Sequence, residues 1–220
     1  MSQLRAFKSP QLANYLANYA EPEARVLRDD RSHLDNIRWA AMAHDCCWQG
    51  CLVIPAFDES FQGLQKQIQS IADDQVLMIL VINAPENARQ EALERTQELY
   101  EQMTTEQHGH VLVVDRISTS RRIHPKQGVG MARKIGTDLA LALIEQGRIR
   151  SPWILQSDAD VAFPPAYTNL VHQATHHIPS GTKIFPHTHF SNDPTLHFAA
   201  QLYDKHMKYY VDGLRSAGSP

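Results

Sequence analysis

Four short apolar runs, each separated from the next by a stretch of helical period, constrain this chain more than any other feature. They are "CLVIPAF" from residue 51, "QVLMILVINAP" from 75, "HVLVVDRI" from 110 and "PWILQSDAD" from 152. Each is apolar at successive positions, not alternate ones, as expected of strands buried on both faces in a parallel sheet. Between them lie "ESFQGLQKQIQSI", "ENARQEALERTQELYEQM" and "GVGMARKIGTDLALALIEQG", whose apolar residues recur at helical spacing. Strands alternating with helices predict an α/β fold, a Rossmann-like, mostly parallel sheet with helices on both faces and right-handed crossovers. Further on, "PPAYTNLVHQATHHI" reads as a helix, "TKIFPHTHF" as a fifth strand, and a helix is expected from about Pro194 to Leu214. Residues 1–50, with "SPQLANYLANYA" and "SHLDNIRWAAMAHDCCW", read as an N-terminal helical segment packed on the core formed by residues 51–220.

Composition excludes several classes of function. A chain of 220 residues that is 43% hydrophobic and 20% charged is a globular one, long enough to bury a substantial core. A net charge of −3 gives no general attraction to nucleic acid. No apolar run approaches the roughly 20 residues of a transmembrane segment, and no signal-peptide h-region opens the chain. Cys46, Cys47 and Cys51 crowd together in no zinc-ligand spacing and read as buried, reduced thiols of a cytoplasmic protein. Zinc could be sought at His172, His176 and His177 or at His187 and His189. No cysteine or carboxylate is interleaved with them in a ligand pattern, so surface histidines are the plainer reading.

Ligands of parallel sheets bind beyond the carboxyl ends of the strands. Polar residues collect there in this chain: Asp58 and Glu59 after the first run, Asn83 after the second, Asp158 and Asp160 after the fourth. On an extended chain, residues i and i+2 point to one side, so both aspartates could reach one small volume. Their hard oxygen atoms suit Mg²⁺ or Mn²⁺, although capping of the following turn is the alternative. The segment "RRIHPKQGVGMARKIG" places Gly128 and Gly130 at a helix start amid Arg121, Arg122, Lys126, Arg133 and Lys134. It could hold a diphosphate or be a solvated loop. It is neither a P-loop nor the dinucleotide fingerprint.

Taken in order, "CLVIPAFDES", "LVINAPEN", "KQGVGMARKIG" and "QSDADVAFP" resemble the successive motifs of family-2 glycosyltransferases with the GT-A fold. The resemblance covers about residues 51–170 and rests on four motifs in the right order, none specific alone. It implies a donor pocket for a UDP- or GDP-linked sugar shaped by Pro55, Ala56 and Phe57, with Phe57 where the family has a Tyr against the base. Glu59 would bind near the nucleoside, Asn83 would stand where an aspartate reads the base, and Arg133 would sit at the edge of the donor site. Asp158 would touch the ribose or the metal shell, and Asp160 would bind the ion, Mn²⁺ or Mg²⁺. Asn83, Asp58 and Lys134 depart from the family's usual residues.

The implied reaction is metal-assisted, inverting transfer of a sugar from a nucleoside diphosphate to an acceptor hydroxyl. Such a transfer needs a carboxylate base. After Asp160 the acids are Asp193, Asp204 and Asp212, none of them in the family's Glu-Asp segment, so the base is not identified and the acceptor is unknown. Family members continue through an acceptor-side region, and a truncated chain holding the nucleotide half is the expectation. The alternatives are a non-catalytic nucleotide-sugar-binding module and a D-x-D phosphatase of the haloacid-dehalogenase type. Against the phosphatase, the position two beyond Asp160 is Ala162, not Thr or Val. A nucleotidyltransferase would need a glycine-rich loop after the first strand, and "PAFDESFQG" has none.

Overall fold

The structure, a computed structural model, describes residues 9–29, 37–39, 47–71, 74–106, 109–164, 166–172, 181–182 and 185–218. They fall into two compact units, residues 1–178 and 179–220. In the first, helices α1 (Pro10–Asn18) and α2 (Pro22–Asp29) precede strands β1 (Ile37–Trp39) and β2 (Gly50–Ala56). Helix α3 (Phe61–Ile71), β3 (Val76–Asn83), α4 (Gln90–Thr105), β4 (Val111–Arg116), α5 (Gly128–Glu145), β5 (Ile154–Gln156) and the short α6 (Asn169–His172) follow. The sheet runs β1-β4-β3-β2-β5. β4, β3, β2 and β5 are mutually parallel, and β1 pairs antiparallel with β4. The α/β architecture with a parallel sheet is therefore present.

Every residue of β2 and β3 is buried, as unbroken apolar runs require. On one face, Cys51, Val53, Ile79, Val81 and Leu112 pack with Ile135, Leu139 and Leu143 of α5, and Leu16 and Leu27 of α1 and α2 join the same cluster. Leu52, Ile54, Met78, Leu80 and Ile82 alternate with them on the other face, where α4 meets β3 and β4. Gly136 lets α5 lie close against the sheet: a Cβ there would stand 2.3 Å from Val53 Cγ1 and 3.2 Å from Val81 Cγ2. No helix among the described residues is long and apolar enough to cross a membrane.

Four expectations change. Residues 37–39 form a strand, not helix. Ile and Trp favour strands, and β4 offers its outer edge for pairing. Cys51 is buried, its thiol pushed up to about 12 by desolvation, but Cys47 is exposed; Cys46 lies outside the described residues. The fourth parallel strand stops at Gln156, before the aspartates. Residues 185–190, read as a fifth strand, have no strand structure; Pro186 lacks the N–H that a ladder needs. His176 and His177 lie outside the described residues.

The second unit centres on helix α7 (Pro194–Ser216). Asp193 caps it, its carboxylate accepting from the N–H groups of Thr195 and Leu196 at 2.8 and 3.1 Å. Asp204 accepts from the backbone N–H of His189 at 2.9 Å and pairs with His189 Nδ1. Asp212 lies 3.7 Å from Arg215. Each of these acids is thus engaged inside its own unit.

Candidate functional site

From β2 the chain moves outward to β3 and β4, then returns past β2 to β5. The strand order reverses between β2 and β5, and the carboxyl ends of strands flanking such a point leave a crevice. A cleft of about 530 Å³ lies there. Pro55, Phe57, Glu59, Asn83, Asp158 and Asp160 line it, brought from segments up to about a hundred residues apart. Its apolar wall adds Pro85, Ile123, Pro125 and Val129, and Asn87 and Gly128 complete the rim. Ala56, expected in the same pocket, is not among the lining residues. It is the last residue of β2, alternates in direction with Pro55, and is buried.

The two aspartates come together by a different route from the one expected. β5 ends at Gln156, and Ala159 and Asp160 form a turn, so extended-chain alternation does not apply. What holds the turn is Gln67 of α3, whose Nε2 donates to the backbone carbonyls of Asp158 (2.9 Å) and Val161 (3.0 Å). Sequence reasoning had no signal for Gln67, which there is one amide on an amphipathic helix.

Asp158 is paired with Arg133, whose Nη2 donates to Oδ1. Among the described residues no ion pair reaches Asp160 or Glu59. Glu59 is half-buried, and its carboxyl is pushed above the usual range, first by desolvation and then by the charges of Asp160, Asp58 and Asp158. The acidic end of the cleft therefore carries repulsion that one arginine does not cancel. On the same cleft, the Oδ1 of Asn83 is buried without a hydrogen-bond partner among the described residues. Asp58 turns away from this crowd. In a left-handed conformation (φ 60°), it accepts from Arg95 Nε at 2.6 Å and Nη2 at 2.9 Å, and those bonds hold its carboxyl below the usual range.

The basic segment before and within α5 divides. Gly128, with φ +50°, and Val129 line the cleft, and Arg133 faces Asp158. Arg121 lies 3.3 Å from Asp115, Arg122 donates to the carbonyl of Ile117, and Lys126 is exposed. Lys134 turns to the core side, 2.6 Å from Asp138 and 3.1 Å from Glu21. Of the two readings of this segment, what stands at the cleft is the helix start at Gly128 and Arg133, which pairs with Asp158.

The donor set at the acidic end is oxygen throughout. Among the described residues no three histidine, cysteine, aspartate or glutamate side chains are gathered closely enough to hold an ion by themselves. Comparison with models of protein families, with curated proteins and with solved structures finds no match.

Proposed function

We propose that this cleft binds a nucleoside-diphosphate sugar together with Mg²⁺ or Mn²⁺, and that the protein transfers the sugar to an acceptor hydroxyl as a GT-A-type, family-2-like glycosyltransferase. The observation that carries the reading is the convergence of Pro55, Phe57, Glu59, Asn83, Asp158 and Asp160 on one cleft where the strand order reverses. The residues fit the ion in one way. One or two carboxylates, Asp160 with Asp158, would hold it and leave the rest of its shell to phosphate and water, as these cations prefer. When bound, the ion would neutralise charge on the departing diphosphate as a Lewis acid.

The chain's own groups do the remaining work. Arg133 presents a planar fork that suits a phosphate as well as a carboxylate, so it can pass from Asp158 to the diphosphate. Phe57 offers a ring face to the base, walled by Pro85, Pro125 and Val129. The Oδ1 of Asn83, without a partner among the described residues, is an acceptor for an N–H on the base edge. A second reading, a binding module without turnover, is favoured by Asp193, Asp204 and Asp212 all being engaged within their own unit.

The test is thermal and urea stability with UDP and GDP, each with and without Mn²⁺. A ligand at about 100 times its dissociation constant adds roughly 2.7 kcal/mol. The expected gain needs nucleotide and metal together and disappears in Asp160→Ala. No gain with either nucleotide would overturn the reading, and binding without any donor hydrolysis or transfer would favour the module.

A further inference from the structure

Just past β5, the N–H of Ser157 donates to the carbonyl of Val53 at 3.1 Å. Beyond that point no strand pairing among the described residues fixes the turn that carries Asp158 and Asp160. Gln67 takes over. It is 5% exposed, it sits on the helix that begins just after Glu59, and its amide ties together two carbonyls three residues apart. Its orientation is set by those acceptors, because the reversed amide would face two carbonyl oxygens with a third.

The cost of that orientation is visible at the other atom. Gln67 Oε1 is buried with no hydrogen-bond partner among the described residues, a loss that a purely packed position would avoid with an apolar side chain. A locally unfavourable choice retained beside a cleft is what functional positions display. The bond also joins two walls of the site, since α3 follows the Glu59 segment and the turn carries the aspartates.

We infer that Gln67 is a positioning residue, holding the 158–161 turn in the shape that lets Asp160 and Asp158 take a divalent cation with a nucleoside diphosphate; this rests on the reading of the cleft given above. Groups that orient metal ligands typically contribute about 10–100-fold to metal affinity.

The experiment compares the wild type with Gln67→Met, which keeps the shape without the donor, and with Gln67→Glu, which offers only acceptors when ionised. Ile68→Val, trimming a buried neighbour on the same helix, is the control for simple destabilisation. The first readout needs no ligand: ¹⁵N order parameters of Ala159, Asp160 and Val161 should fall from about 0.85 to below about 0.6 in both Gln67 variants. They should stay unchanged in Ile68→Val. The second readout is UDP and GDP affinity in Mn²⁺ and in EDTA. Affinity in Mn²⁺ should drop about 10-fold or more, while affinity in EDTA holds.

Unchanged order parameters would overturn the inference, as would a loosened turn with full metal-dependent affinity. A wild type that binds neither nucleotide would sink the nucleotide reading, while the order parameters would still judge whether Gln67 holds the turn.

Discussion

Arg133 and Lys134 are consecutive residues of α5, and each pairs with an aspartate, but the two pairs serve different ends. Lys134 meets Asp138, which is 1% exposed and also accepts from Tyr15 Oη and the N–H of Glu21, both at 2.8 Å. Lys134 in turn reaches Glu21 and the carbonyl of Tyr19. Burial alone would lower the Lys134 pKa, but hydrogen bonds and charge from Asp138 and Glu21 outweigh it and hold the ammonium above its usual range. Arg133 meets Asp158, whose side chain is 55% exposed, has this one ionic partner among the described residues, and faces other carboxylates. A buried charge that accepts from three donors fastens α1 and the start of α2 to α5. A half-open charge crowded by its own sign is better suited to meeting a ligand than to supporting the fold.

The sharpest way to break this contrast is to remove one aspartate from each side. Asp138→Ala strips an acceptor from Lys134, Tyr15 and the Glu21 N–H at once, and each buried donor left unpaired costs about 1–3 kcal/mol. Asp160→Ala should change stability by less than about 0.5 kcal/mol, as surface positions do. Urea unfolding of the two variants measures both. Equal losses would mean that the acidic turn is as structural as the buried network.

Both pairs depend on α5 lying flat against the sheet, and Gly136 sets that distance. In Gly136→Ala the new methyl would meet Val53 at 2.3 Å, too close to absorb without movement. Overpacking of this kind costs about 1–3 kcal/mol. The shift should also displace Arg133 relative to Asp158. Stability should therefore fall by less than in Asp138→Ala, while affinity for UDP or GDP falls as well, which Asp138→Ala should change little once the protein is folded. Calorimetric titration of both variants separates the two effects.

The same contrast explains what the sequence could disclose. The parallel sheet was legible because β2 and β3 are apolar at every position before Asn83, a pattern few other structures allow. The cleft was legible as far as strand ends reveal it: Pro55, Phe57, Glu59, Asn83 and the aspartates stand where parallel strands stop. Arg133 was legible as a cation beside the site, but its pairing with Asp158 was not. Ala56 was misplaced because proximity in sequence hides the alternation of a strand. β1 was missed because its three residues owe their conformation to β4, more than seventy positions away. Gln67 left no trace because its role lies in two carbonyls over ninety residues further on. Local periodicity carries the frame, and long-range side-chain bonds to backbone do not register in it.

The smallest effect separates the regions by pH. Glu59 has its folded pKa raised by desolvation and then by Asp160, Asp58 and Asp158. The folded state therefore holds the Glu59 proton more tightly than the unfolded chain, so stability falls as pH rises from the unfolded value near 4.3 through the folded one. Above that window the ionised carboxylate is a standing cost. Glu59→Gln should then be more stable than the wild type at pH 7, by under about 1 kcal/mol once solvent screening is allowed for. The difference should vanish below about pH 4, where both forms are neutral. Asp115 supplies the opposite slope. Burial would raise its pKa, but the Ser118 hydroxyl, the Ile117 and Ser118 amides and Arg121 outweigh that and hold it low. Its contribution is present above the unfolded value and is lost as pH falls through the folded one, so Ser118→Ala should blunt acid unfolding where Glu59→Gln does not. Adding Mn²⁺ with nucleotide should shrink the Glu59→Gln advantage at pH 7, because a cation at Asp160 would compensate the same repulsion. An advantage untouched by saturating ligand would place the bound charge away from these carboxylates.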